Sequence, residues 1–151
     1  PRRSDTRRRG ASMASGRMLS KKELTERLTK KGASPDDAAE TADWLEDLGA
    51  VDDTAYAGVI VRHYGAMGCG AARVRQELHR RGVPKELWDE ALKQLPPPQE
   101  AIEKFLCAKL RGRPLTPEDS RRLAAALQRR GFSWQDIRPI LNGLGQEIDE
   151  T

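Results

Sequence analysis

A pentad of one leucine, one polar residue, two cations and a glycine stands at three places in this chain: "LTKKG" (Leu28 to Gly32), "LHRRG" (Leu78 to Gly82) and "LQRRG" (Leu127 to Gly131). The glycines are 50 and 49 residues apart. Four residues ahead of each leucine stands another aliphatic residue, Leu24, Val74 or Leu123, which puts two apolar side chains on one helical face. Two cations in a last helical turn complement the partial negative charge of the helix end, and glycine ends the helix in the left-handed conformation. The pentad therefore reads as a helix stop. A unit of about 50 residues poor in aromatics buries too little to stand alone, and stacked copies share their core.

Each stop is followed by an apolar or small residue and then by a second helix start. "SPDD" (Ser34 to Asp37) and "SWQD" (Ser133 to Asp136) are capping patterns, while "VPKE" puts Pro84 in a first turn. "SKKE" (Ser20 to Glu23) and "TPED" (Thr116 to Asp119) mark further starts. The second helices are expected to end near Leu48, Leu95 and Leu144. A third helix links the units. One opens at Asp52 and Asp53 and buries Tyr56, Val59, Ile60 and Tyr64; another follows the rigid run Pro96 to Pro98 and buries Ile102, Phe105, Leu106 and Leu110. No stretch alternates with a period of two over strand length. The expected fold is all-α, an elongated and curved array of three-helix repeats. Its parts are a tail over residues 1–17, repeats over 18–51, 52–95 and 98–145, and an acidic end over 146–151.

The formal charge of +4 is unevenly placed. Residues 1–17 hold six arginines against one aspartate and almost nothing apolar, which reads as a disordered tail. Such a tail suits non-specific nucleic-acid contact, an organelle transit segment, or the accident of where a fragment starts. Residues 34–53 carry eight carboxylates and no cation. Residues 62–85 carry Arg62, Arg73, Arg75, Arg80, Arg81 and Lys85 against Glu77. Arg73 and Arg80 lie seven apart and share a helix side, as do Arg122 and Arg129. With Arg130, these arginines are the candidate surface for a partner or DNA, as an alternative to simple helix capping.

A helix, a glycine turn and a second helix could read DNA, but the second helix of the first unit offers six carboxylates to phosphates. Catalysis finds less support. His63 and His79 have no metal-ligand spacing with each other or with Cys69 and Cys107, which read as free thiols in a reducing compartment. "YGAMGCGAAR" (Tyr64 to Arg73) lacks the lysine and hydroxyl of a phosphate loop and reads as a flexible joint. Asp52 and Asp53 are adjacent, so they diverge on a helix and read as caps. No cofactor, metal or enzymatic activity is expected, and no apolar run approaches the roughly 20 residues of a membrane span.

"LGAVDDTAYAGVIVRHYGAMGCGAARVRQELHRRGVPKELWDEAL" (Leu48 to Leu92) resembles the central repeat of the RecX regulatory family, through Asp52, Asp53, Tyr56, Ala57, Arg62, Gly70 and the helix that ends in "RVRQELHRRGV". The segments around "LTKKG" and "LQRRG" look like its flanking repeats, so the resemblance covers residues 20–144, with the leading helix of the first repeat absent or replaced by the Arg-rich tail. It implies tandem three-helix units and a regulator of the RecA recombinase; the chain is expected to be monomeric and cytoplasmic. Such a regulator most often inhibits, lodging along the groove of the RecA–DNA filament and acting on ATP turnover, strand exchange and filament stability in DNA repair. A non-specific nucleic-acid-binding repeat module is the alternative.

Overall fold

A computed structural model describes residues 2–145. It is helical throughout, with no strand among the described residues. In chain order the helices are α1 (Arg3–Gly16), α2 (Lys21–Lys30), α3 (Pro35–Asp47), α4 (Asp53–Ala66), α5 (Ala71–Arg80), α6 (Trp88–Leu92), α7 (Pro98–Leu110), α8 (Pro117–Arg129) and α9 (Trp134–Gly143). The starts legible in the sequence form as read. Ser20 and Glu23 make a reciprocal capping box, and Ser34, Thr116 and Ser133 each accept the N–H three residues on. After Pro84 the chain makes one 3-10 turn, Lys85–Leu87, before a five-residue α6 that ends at Leu92 rather than near Leu95.

The chain divides into two compact units. One runs to Ile60 and takes in Glu77–Ala91; the other holds Val61–Gln76 and the chain from Leu92 onward. The boundary passes through α4 and α5, so the middle repeat contributes to both units.

In the first unit α1, α2 and α3 enclose Leu19, Leu24, Leu28, Ala33, Ala38, Ala42, Leu45 and Val51. In the second, α7, α8 and α9 enclose Ile102, Leu106, Leu110, Leu115, Leu123, Leu127, Phe132, Ile137 and Leu141. The aliphatic pairs read from the pentads, Leu24/Leu28, Val74/Leu78 and Leu123/Leu127, are all fully buried. Each such leucine contributes about 2 kcal/mol by leaving water. The α4 stripe differs in detail. Tyr56 and Ile60 are buried, but Val59 is exposed and Ala57 and Val61 take up the buried face beside them.

The arginine-rich segment read as a disordered tail is helical among its described residues. Arg3–Gly16 form α1, which lies on α3. Thr6 and Gly10 are its buried residues, and a Cβ on Gly10 would stand 2.7 Å from Thr41 Cγ2 and 3.2 Å from Leu45 Cδ1. Small residues let the helix axes approach, and charge completes the fit. Arg3 pairs with Asp37 at 3.2 Å, Arg7 pairs with Glu40, and the Arg7 guanidinium lies 4.8 Å from the centre of the Trp44 ring. The cationic segment and the carboxylate-rich segment of the sequence are thus partners. Residues 146–151, read as an acidic end, lie outside the described residues.

Candidate partner interface

Each pentad closes its helix by the same hydrogen bonds. The N–H of the residue after the glycine, Ala33, Val83 or Phe132, donates to the carbonyl of the pentad leucine at 3.0, 3.0 and 3.1 Å. The three following side chains are buried, which supplies the apolar contact that accompanies this kind of helix end. The leucine therefore acts twice, through its side chain in the core and its carbonyl in the stop.

The stops then dock onto helix starts one repeat earlier. In the second unit the N–H of Gly70 donates to the Arg130 carbonyl at 2.8 Å, and that of Ala72 to the Gly131 carbonyl at 3.2 Å. In the first unit the Ser20 hydroxyl, fifty positions before Gly70, donates to the Arg81 carbonyl. Unpaired carbonyls at one helix end meet unpaired N–H groups, or a cap, at another helix start, so each partly satisfies the other. There is no room for a side chain at these joints. A Cβ on Gly131 would lie 2.5 Å from the Arg73 nitrogen, and one on Gly82 would lie 2.8 Å from Lys22 Cβ. Both glycines also have positive φ, +103° and +78°. The stop of the first pentad meets α1 instead of a helix start. Arg9 of α1 donates to the Lys31 carbonyl at 2.9 Å.

"YGAMGCGAAR" is accordingly a clamped turn between α4 and α5. The Cys69 N–H donates to the Tyr64 carbonyl at 3.0 Å, and Gly70 is held in the joint. Cys69 is half-buried, Cys107 is exposed, and both are free thiols.

Asp52 and Asp53 cap two different helices. Asp52 Oδ1 accepts from Ala55 N–H at 3.0 Å and opens α4, while Asp53 Oδ1 accepts from Lys21 N–H at 2.9 Å and caps α2. Burial pushes the Asp53 carboxyl above its ordinary range, against the Lys21 N–H, which lowers it. The Lys21 ammonium turns instead to Asp43 and Glu46, whose hydrogen bonds raise its pKa.

The eight candidate arginines separate into two groups. Five have internal partners. Arg62 donates to Gln94, and Arg122 pairs with Asp119 at 2.9 Å and holds that carboxyl below its usual range. Arg80 and Arg81 both bind the buried carboxylate of Glu77, and Arg81 also donates to the Tyr56 hydroxyl at 3.1 Å. Arg130 donates to the Met67 carbonyl at 3.1 Å and lies 4.8 Å from the centre of the Phe105 ring. Arg73, Arg75 and Arg129 are exposed, and no hydrogen bond or ion pair engages their side chains among the described residues. Arg73 and Arg129 flank the joint at Gly131. Sequence spacing found the cations but not their partners, because Gln94, Tyr56 and Met67 reach them only through the fold.

His79 meets the edge of Trp88 and His63 the edge of Tyr64, so both imidazoles sit in ring contacts. No group of three or more histidine, cysteine or acidic residues could hold a metal among the described residues. No described helix is long and apolar enough to cross a membrane.

Three-helix units linked through glycine stops define a helical repeat protein. The family model described as "RecX, second three-helix domain" matches residues 52–92, the segment that includes α4, α5 and α6. Regulatory protein RecX of Chromohalobacter salexigens is 34% identical over 123 residues, 81% of each chain. The RecX of Chlorobaculum tepidum is 31% identical over 89% of this chain and 86% of its own. The crystal structure of RecX from Lactobacillus salivarius superposes with a TM-score of 0.78 at 23% identity, covering 94% of this chain and 98% of that one. The chain belongs to the RecX family of regulatory proteins.

Proposed function

We propose that this protein regulates a RecA-type recombinase as an inhibitor, by binding along the RecA–DNA filament and slowing ATP turnover and strand exchange. What carries this reading is kinship along most of the chain with proteins named as RecX regulators. Side chains left without internal pairs support one face as the contact surface. Arg73, Arg75 and Arg129 are the candidate arginines not engaged in internal pairs among the described residues, so they are available to an anionic partner without breaking the fold. Arg80, Arg81, Arg122 and Arg130 hold the molecule's own helix ends and joints, and their removal would act first through stability. Desolvated apolar contacts provide most of the affinity at such interfaces, while free cations set orientation and association rate.

The test is RecA ATP hydrolysis on single-stranded DNA with increasing amounts of this chain. Inhibition that falls at least tenfold in potency on combined R73E and R129E substitution, with helicity and melting retained, supports both the function and the face. Unchanged potency of that variant removes the face. A wild-type chain without effect on hydrolysis or strand exchange removes the function.

A further inference from the structure

The second unit has a surface depression that the joints do not use. It measures about 560 Å³ and lies between the end of α4, the Gln94 to Pro96 segment and α7. Its cations are Arg62, Lys104, Lys109 and Arg130, opposed by the single carboxylate of Glu100. Its apolar part includes Phe105, partly buried against the core, and Met67, which is 55% exposed. An exposed methionine beside alanines and an aromatic is an adaptable apolar contact that water leaves readily. The larger depression between α7 and α9 mixes Arg113 with Glu103 and Asp136, so its charge selects no occupant.

The geometry points to an acidic peptide segment with an apolar anchor as the occupant of this depression. Three features fix the choice. The rim carries an excess of cations, so the occupant carries carboxylates or phosphates. The apolar lining asks for an uncharged side chain between those anions, which a polynucleotide backbone does not offer. A base could stack on an open aromatic face, but the Phe105 ring already has Arg130 at 4.8 Å and Lys109 at 5.7 Å from its centre. Arg130 is further fixed by its bond to the Met67 carbonyl, so part of the cationic rim is organised before anything binds. The partner carrying this segment is the protein filament of the proposed function, and the inference rests on that reading.

The experiment is fluorescence anisotropy with the whole chain and three labelled probes. They are an acidic peptide with a central Leu-Phe pair, the same peptide with Ser-Gly at its centre, and a thymidine oligonucleotide. The anchored peptide should bind about tenfold more tightly than the anchorless one. Met67→Asp should bring the two peptides to equal affinity, and K104E with K109E should weaken both about tenfold. Lys104, Lys109 and Met67 are exposed, so these variants keep the core, which circular dichroism checks. Equal binding of the two peptides to the wild-type chain, or displacement of the anchored peptide by oligonucleotide with no loss in Met67→Asp, overturns the proposal. The same variants in the RecA assay separate the two readings. Full inhibition by both removes this depression from the filament contact and leaves the regulatory role standing. A wild-type chain with no effect on RecA removes the regulatory role itself.

Discussion

The N–H of Gly70 donates to the carbonyl of Arg130 at 2.8 Å, which sets the start of α5 against the end of α8. One repeat earlier the Ser20 hydroxyl donates to the Arg81 carbonyl at the matching position. Successive repeats are thus joined at the stop of the later pentad, and the crowding there explains why Gly82 and Gly131 are glycines.

Gly131→Ala should be far more damaging than a loop glycine substitution. The new methyl would meet the Arg73 backbone at 2.5 Å, in addition to the strain of a left-handed backbone. Together these should cost about 3 kcal/mol. Gly112→Ala shares the positive φ but meets nothing within 4 Å, so it should cost about 1 kcal/mol. Urea unfolding of the two variants measures the difference, which is the contribution of the joint alone.

The α1 contact should fail separately from the rest of the first unit. Gly10→Leu drives a large side chain into Thr41 and Leu45. Amide exchange across residues 3–16 should accelerate at least tenfold while α2 and α3 keep most of their protection. Acid should act in the same direction. The hydrogen bond from Arg7 holds the Glu40 carboxyl below its ordinary 4.5, so the attraction is complete above that value. It is lost as the pH falls through the lowered folded value. A protection factor in α1, taken against the intrinsic rate at each pH, that stays high at acid pH and in Gly10→Leu would show that another contact holds it.

That helix also marks the limit of what the sequence showed. Caps at Ser20, Ser34, Thr116 and Ser133, the three glycine stops and the buried aliphatic pairs were legible, because each is a local signal written in two to five residues. α1 was not, since it buries Thr6 and Gly10 rather than a hydrophobic stripe, and its arginines find their carboxylates 33 and 34 residues away. The interface was legible only in part. Spacing placed Arg73 and Arg129 on helix faces, but nothing local showed that Glu77 would hold Arg80 and Arg81 together, or that Arg130 would cover Phe105. Val59 misled for a related reason: a helical stripe gives the buried face only to within a residue.

Asp53 offers a test of the shared caps with a pH signature. Asp53→Ala removes the acceptor for Lys21 N–H and should cost about 1 kcal/mol. Asp53→Asn keeps an acceptor oxygen and removes a partly buried charge. Burial raises the folded pKa of Asp53 above its ordinary 3.8, so the charge is a penalty above the folded value and no penalty below the unfolded one. Asp53→Asn should therefore be as stable as the native chain or more so at neutral pH. That advantage should shrink as the pH falls through the raised value and vanish below 3.8. Thermal melts across the acid range decide it; an asparagine variant as damaged as the alanine one at neutral pH would show that the carboxylate charge is required.

The proposed recognition of a recombinase filament rather than of DNA alone is tested by direct titration. The labelled chain is titrated in parallel with RecA assembled on single-stranded DNA, with free RecA and with the bare strand. Binding to the filament should be at least tenfold tighter than to the strand, with a shallow salt dependence set by the few free arginines. Equal or tighter binding to the bare strand, falling steeply with salt, would contradict it.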